Sequence, residues 1–317
     1  MKRADPRTPN LLVVCGPTAS GKTSLAVRLA LLTGGEIISA DSRQVYRGLD
    51  IGSGKDLREY RSGNTVVPYH CIDIADPAEI YTLYHFQKDF RRAFGAIRSR
   101  SRLPILCGGT GLFIEAVLRG YRIPEVPEDR TLRTTLMQRP HDELEEMLRR
   151  LDPERFSRTD RSSKKRIVRA IEVTTGRKDH PAGWSAESGL PPPETIVPCI
   201  LCTRWDRSEL HTRIAHRLES RLDEGMVEEV KQLRASAIPD DRLYMMGMEY
   251  KHITRYLRGE SDYSSMVQQL ERAIRQLAKR QETWFRGMER RGSTMHWIDR
   301  ADVETAKAIV RYFFPRR

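Results

Sequence analysis

The chain has 317 residues, 39% of them hydrophobic and 31% charged, with a formal charge of +12. That is enough chain for one large or two ordinary domains with a real core. No apolar run approaches membrane-spanning length, and five cysteines in a chain this long are no disulfide framework. Met1 to Asn10 is polar and lacks the apolar stretch of a signal peptide, so a reducing cytoplasm is expected, with no membrane partner. The excess of 55 Lys+Arg over 43 Asp+Glu hints at a polyanionic partner, although many basic enzymes bind nothing larger than a nucleotide.

Leu11 to Cys15 is a short apolar run that reads as a buried strand. It leads into Gly16-Pro17-Thr18-Ala19-Ser20-Gly21-Lys22-Thr23, which matches G-x-x-x-x-G-K-[ST], the P-loop pattern. Leu25, Ala26, Leu29 and Ala30 then have helical spacing. A strand, a glycine-rich turn and a helix start converge backbone N–H groups on a phosphate. Gly16, Thr18, Ala19, Ser20, Gly21, Lys22 and Thr23 are therefore the candidate phosphate or diphosphate cradle. Lys22 acts there as a point charge, and Thr23 is the candidate Mg²⁺ ligand. Glu36 to Ala40 is a second strand-like run ending at Asp41, a carboxylate where open α/β sheets place ligands; a turn cap is the structural alternative.

Val66 to Ile74 reads as a further strand, and Tyr81 to Ile97 as an amphipathic helix. Leu103 to Cys107 is another buried strand, and it runs into Gly108-Gly109-Thr110-Gly111. An ordinary P-loop NTPase ends such a strand in an acid that holds Mg²⁺. Here the only comparable strand-end acid is Asp41, so a kinase or ATPase fits poorly.

From Pro124 the texture changes. Pro124 to Asp129 reads as a linker, residues up to about Lys178 are charged and helical in pattern, and Gly183 to Pro193 reads as a return linker. The fold expected is α/β, with a P-loop NTPase-like parallel sheet core over residues 10–123 and 191–317 and an inserted helical domain over 124–190. The insertion carries Lys165, Arg166 and Arg169. Thr195 to Cys202 resumes the core as a strand; Cys199 and Cys202 form a C-x-x-C there and read as buried strand cysteines, with no second pair to complete a zinc site. A helix with Leu210, Ile214, Leu218 and Leu222 on one face carries Arg213, Arg217 and Arg221 beside them. Ser264 to Arg290 is the longest helical signal. Its predicted apolar stripe is Met266, Leu270, Ile274, Leu277, Trp284 and Met288, flanked by Lys279, Arg280 and Arg286. Such a helix is either a solvated face or a surface laid along a nucleic-acid backbone.

Several of these stretches together resemble the tRNA dimethylallyltransferases (tRNA isopentenyltransferases). They are the P-loop, Ile38-Ser39-Ala40-Asp41-Ser42-Arg43-Gln44-Val45-Tyr46, Pro104 to Phe113, Arg166-Ile167-Val168-Arg169-Ala170-Ile171-Glu172-Val173, and Arg275-Gln276-Leu277-Ala278-Lys279-Arg280-Gln281-Glu282-Thr283-Trp284. They stand in family order across residues 11–298. The chain departs from the family at Gly52-Ser53-Gly54-Lys55-Asp56, where Gly-Thr-Ala-Lys-Pro is usual, and at Gly247-Met248-Glu249-Tyr250-Lys251, where Met248 and Glu249 precede the family's Tyr and suggest a longer or shifted loop. No Cys/His pair of zinc-finger spacing follows the core, which fits a bacterial-type enzyme.

The resemblance implies transfer of a dimethylallyl group from dimethylallyl diphosphate to N6 of the adenosine at tRNA position 37, with Mg²⁺. The P-loop then holds a leaving group and hydrolyses nothing. Asp41 matches the general base and Arg213 the arginine on the diphosphate, with Arg217 one turn on in reserve. Thr110 matches a channel residue that contacts tRNA. Asp41, Ser42, Arg43 and Gln44 would read the flipped base and its neighbours. Lys165, Arg166, Arg169, Lys279, Arg280 and Arg286 would grip phosphates. An adenylate isopentenyltransferase acting on free AMP and a P-loop nucleotide kinase are the rival readings. No dimer surface stands out, and a monomer is expected.

Overall fold

The computed structural model describes residues 8–121, 126, 128–179 and 195–315. β1 (Leu11–Cys15) is buried at every residue. The P-loop follows and enters α1 (Lys22–Thr33) through Gly21 at φ 81°, a left-handed conformation that glycine adopts without a Cβ clash. β2 (Glu36–Ser39) leads to a short 3₁₀ turn at Leu57–Tyr60, the hairpin β3 (Arg61–Ser62) and β4 (Thr65–Val66), and β5 (Tyr69–His70). Then come α2 (Leu83–Ser99), β6 (Pro104–Gly108) and α3 (Gly111–Leu118), followed by α4 (Arg130–Gln138), α5 (His141–Leu151), α6 (Pro153–Arg158) and α7 (Lys164–Asp179). β7 (Pro198–Arg204) precedes a run of helices: α8 (Arg207–Asp223), α9 (Met226–Ala235), α10 (Asp240–Met246), α11 (Met248–Leu257) and α12 (Tyr263–Arg290). β8 (Met295–Asp299) and α13 (Val303–Phe313) end the fold.

Six strands form one sheet in the order β5-β2-β6-β1-β7-β8, and every pairing in it is parallel. The chain is an α/β protein. Both sheet faces are covered, which is why the strands read as continuous apolar runs. Leu11, Val13, Ile38 and Leu106 point to the face packed by α2, α3 and the end of α12, through Phe86, Phe113 and Phe285. Leu12, Val14, Ile37 and Ile105 point to the other face, under α1 and α13, through Leu25, Leu29 and Val310. A second core joins Val45, Tyr46 and Leu49 to helices α8–α12.

The chain divides into two compact units, residues 1–120 with 191–317 and residues 121–190. The smaller unit packs Leu136, Leu144, Leu148, Ile167 and Ile171. Its organising carboxylate is Glu172, which takes the Asp129 N–H at 2.7 Å and the Arg133 guanidinium at 2.9 and 3.1 Å, and is also paired with Arg169. The expected return linker Gly183 to Pro193 lies outside the described residues, as does part of the Pro124 to Asp129 linker.

Three local expectations change. Val66 to Ile74 is no single strand: β4 ends at Val66, Pro68 cannot donate to a ladder, and Cys71 and Asp73 take φ of 63° and 55°. The strand predicted over Thr195 to Cys202 runs from Pro198 to Arg204. On α12 the buried stripe continues through Ala278 and Phe285, while Leu277 and Trp284 turn to a cleft. A stripe extended in sevens drifts round a 3.6-residue helix by about 20° per heptad, and four turns suffice to move Trp284 off the core.

Candidate active site

Parallel strands put the loops that follow β1, β2 and β6 at one edge of the sheet, and these three strands are neighbours. The loops are the P-loop, Asp41 to Gln44, and Gly109-Thr110. Gly108 ends β6 where β2 leaves the sheet. A Cβ there would lie 2.2 Å from the Ala40 carbonyl oxygen, and that oxygen accepts the Thr110 N–H at 3.2 Å. Close backbone approach thus excludes a side chain at the position where an NTPase would carry its metal-binding acid, and Asp41 is left as the strand-end carboxylate.

Two clefts meet at the P-loop. One, of about 470 Å³, is lined by Thr18, Lys22, Thr23, Asp41 to Gln44, Thr110, Glu249, Arg280, Gln281 and Trp284. The other, of about 510 Å³, is lined by Ala19 to Thr23, Asp56, Glu59 and Arg213. Lys22, Thr23, Arg217 and Arg221 face both. Asp41 therefore lines one cleft and Arg213 the other, with Lys22, Thr23, Arg217 and Arg221 shared between them.

The P-loop is braced from several sides. Gln281 accepts the Thr18 N–H at 2.8 Å and donates to the Gly109 carbonyl at 2.9 Å, tying the loop after β1 to the loop after β6. The Trp205 indole N–H donates to the Ser20 carbonyl at 2.9 Å, and Arg213 Nε donates to the Ala19 carbonyl at 2.8 Å while its guanidinium lies 4.2 Å from the Trp205 ring centroid. The Ser20 hydroxyl is fully buried against Thr203 at 2.7 Å, so Ser20 meets the clefts through its backbone. Lys22 Nζ donates to the Pro17 carbonyl at 3.2 Å. Burial first, and then the neighbouring Arg217, lower the Lys22 pKa from its ordinary value. Beneath the loop the Cys107 thiol is pushed up to about 12 by burial and is inert as a thiolate.

Asp41 Oδ1 accepts the Arg43 N–H at 2.9 Å, and the Thr110 hydroxyl accepts the Ser42 N–H at 3.1 Å. Gln44 is fixed between the Ser39 hydroxyl at 2.9 Å and the Gly54 carbonyl at 2.9 Å, and Arg43 Nη1 donates to the Met245 carbonyl at 2.7 Å. Asp41, Ser42, Arg43, Gln44 and Thr110 thus come together on one cleft with Arg280. Lys279 and Arg286 are exposed on α12 outside it, Arg286 paired with Glu282 at 2.7 Å. Lys165, Arg166 and Arg169 sit on α7 of the smaller unit, Arg166 paired with Asp160 and Arg169 held by Glu172 and by the Val126 carbonyl at 2.9 Å.

Several residues here carry no role in the sequence reading. Arg221 is buried and, with Arg217, faces the carboxylate of Asp56; its signal was the four-residue spacing Arg213, Arg217, Arg221, which places all three on one helix face. Gln281 stood in the α12 block without an assignment, and Trp284, expected in the apolar stripe, lines the 470 Å³ cleft instead. Glu249 lines the 470 Å³ cleft, and burial, opposed by Arg221 and Arg43, raises its pKa. The Gly247 segment expected as a loop is a junction between helices, with Gly247 at φ 153° between α10 and α11.

The P-loop lysine, the strand-end carboxylate and the arginine row thus converge on joined clefts at the edge of a parallel sheet where open α/β folds bind their ligands. Residues 44–288 match the model of the IPP transferase family, and residues 9–66 match that of isopentenyl transferase. The tRNA dimethylallyltransferase 2 of Trichlorobacter lovleyi is 47% identical over 307 residues, covering 96% of this chain and 97% of that one. The tRNA dimethylallyltransferase 1 of Porphyromonas gingivalis is 50% identical over 289 residues, covering 91% and 93%. The full-length tRNA isopentenylpyrophosphate transferase of Bacillus halodurans superposes with a TM-score of 0.67 at 32% identity, covering 96% of this chain and 94% of that one. A eukaryotic dimethylallyltransferase acting on tRNA superposes with a TM-score of 0.74 at 21% identity, covering 97% and 80%, a likeness of fold. The chain belongs to the IPP transferase family.

Proposed function

We propose that the protein transfers a dimethylallyl group from dimethylallyl diphosphate to N6 of the adenosine at tRNA position 37, releasing diphosphate. The observation that carries this reading is the placement of Asp41 in the same cleft as Lys22 and Thr23, with Arg217 and Arg221 facing that cleft and the adjoining one that Arg213 lines. The C1–O bond of the allylic ester breaks and its electron pair stays on diphosphate. Lys22, the P-loop amides, Arg217 and Arg213 stabilise that charge. The N6–C1 bond forms, and the proton on N6 passes to Asp41, which the Arg43 amide orients. The exocyclic amine is a weak nucleophile, because its lone pair is delocalised into the purine, so a carboxylate at this point has real work.

A base stacked in the anticodon loop cannot reach a buried ester, so it enters the cleft flipped out, beside Thr110 and the Trp284 ring. Thr23 carries a hydroxyl where the two clefts meet, with Asp41 lining one of them, and Mg²⁺ is held by substrate phosphates and one or two protein oxygens more often than by an all-protein cage. Among the described residues no group of three or more His, Cys, Asp or Glu forms such a cage. When bound, Mg²⁺ would be held by Thr23 and the diphosphate and would add positive charge at the leaving group. Lys165, Arg166, Lys279, Arg280 and Arg286 supply contacts to tRNA phosphates, and the insertion around α7 is a tRNA-contacting domain. Five free, buried cysteines support a reducing cytoplasmic setting.

The test is incubation with Mg²⁺, labelled dimethylallyl diphosphate and bulk tRNA, with AMP and ATP in parallel. Label in tRNA alone is expected. Prenylated AMP, or consumption of ATP, would overturn the reading.

A further inference from the structure

The residue that breaks the family pattern at the end of Gly52-Ser53-Gly54-Lys55-Asp56 stands in the 510 Å³ cleft. Asp56 takes φ 42° and ψ 49° at the start of the 3₁₀ turn, and its side chain caps no backbone amide there. A proline, with φ fixed near −65°, cannot adopt this conformation. The carboxylate instead reaches α8. It accepts from Arg217 Nη2 at 2.5 Å and lies 3.7 Å from Arg221 Nη2. Both arginines face both clefts, and Arg221 is buried. Burial works against a charge on Asp56, but Arg217 and Arg221 outweigh it and hold the carboxyl below its usual range. Glu59, a second acid of this cleft beside Glu224, has its pKa raised by burial and by Asp56 itself. Asp56 is therefore the acid whose charge the two arginines sustain.

On the reading above, the same guanidiniums face a diphosphate during turnover. A carboxylate and a phosphate compete for one set of arginine donors, since both match the guanidinium fork. We propose that Asp56 is the internal counter-anion of the diphosphate site. It holds Arg217 and Arg221 while the cleft is empty, yields them when the allylic diphosphate arrives, and reclaims them as diphosphate leaves. Asp56 is a positioning residue that weakens diphosphate binding and thereby speeds product release.

The test is Asp56→Asn, which removes the charge and keeps a residue type tolerant of left-handed backbone. Asp56→Gly is a second variant that is free of strain there. Pyrophosphate binding to the intact protein with Mg²⁺ is measured by calorimetry, beside pyrophosphate inhibition of tRNA prenylation. Both variants are expected to bind pyrophosphate at least five-fold more tightly, to show a lower KM for dimethylallyl diphosphate and to be inhibited at correspondingly lower pyrophosphate. A residue with a merely structural role could only weaken binding when removed. Equal or weaker binding by variants that melt like the wild type overturns the counter-anion role and leaves the transferase reading standing. A wild-type protein that neither binds pyrophosphate nor prenylates tRNA overturns both.

Discussion

Asp41 owes its place to two local facts: it is the second residue past β2, and its carboxylate accepts the amide of Arg43, two residues on. Both are short-range, which is why the residue could be picked out from a strand-like run and its terminal acid. General bases contribute typically about 10²–10⁴-fold. Asp41→Asn keeps the size and one acceptor oxygen but cannot take a proton, so kcat for tRNA prenylation should fall by about that factor. tRNA affinity, measured by filter binding, should stay within about two-fold. A variant with unchanged kcat would remove Asp41 from proton transfer. Arg221 and Asp56 were out of reach of the same reasoning, because their pairing joins positions 165 residues apart and local spacing says nothing about which acid an arginine row will meet.

At the scale of elements, the P-loop and its flanks were legible because strand, turn and helix are contiguous in sequence. The connection from β2 to β5 was not. Glu229 on α9 accepts the N–H groups of Asp50, Ile51 and Gly52 at 2.8, 2.6 and 3.0 Å and the Tyr250 hydroxyl at 3.0 Å. One buried carboxylate therefore shapes the segment that presents Gln44 and Asp56, and nothing in the spelling of residues 50–52 points to it. Tyr250, which follows the chain's departure at Met248-Glu249, is fully buried and completes this set. Glu229→Ala strands three amides and a hydroxyl. Each unsatisfied buried group costs about 1–3 kcal/mol, and partial access of water reduces the sum, so a loss of roughly 3 kcal/mol is expected. Urea unfolding should show a lower midpoint with an unchanged slope. A shift of under about 1 kcal/mol would mean that the segment holds its shape without Glu229.

For the molecule as a whole, composition pointed to a basic protein, and the charges of the described residues sort into three kinds. Some hold the fold. Glu36 on β2 accepts from Arg100 at 2.8 Å and meets His70 at 2.8 Å. Burial opposes its charge, but these partners outweigh it and lower its pKa from 4.5. A carboxylate with a lowered folded-state pKa contributes stability that is present above the unfolded value and lost as pH falls through the folded one. The wild type should therefore lose its stability advantage over Glu36→Gln as pH drops below about 4.5, followed by thermal melting. A gap that stays constant with pH would show that Glu36 titrates alike folded and unfolded.

Other charges line the clefts, and the remainder face solvent. The sequence could not tell the first kind from the last: Arg169 and Arg166 lie three residues apart in one basic cluster. Yet Arg169 is tied to the buried Glu172 and the Val126 carbonyl, whereas Lys165 and Arg166 are exposed. The difference yields a paired prediction. Each phosphate contact steepens the fall of log affinity with log salt by about 0.7–0.9. Lys165→Ala with Arg166→Ala should weaken tRNA binding and flatten that salt slope by about 1.5, with the melting temperature and pyrophosphate binding unchanged. Arg169→Ala should act through the smaller unit's fold, lowering the melting temperature because Glu172 loses a partner. A double variant with the wild-type slope would put the phosphate contacts elsewhere, leaving the exposed arginines and lysines of α12 to account for them.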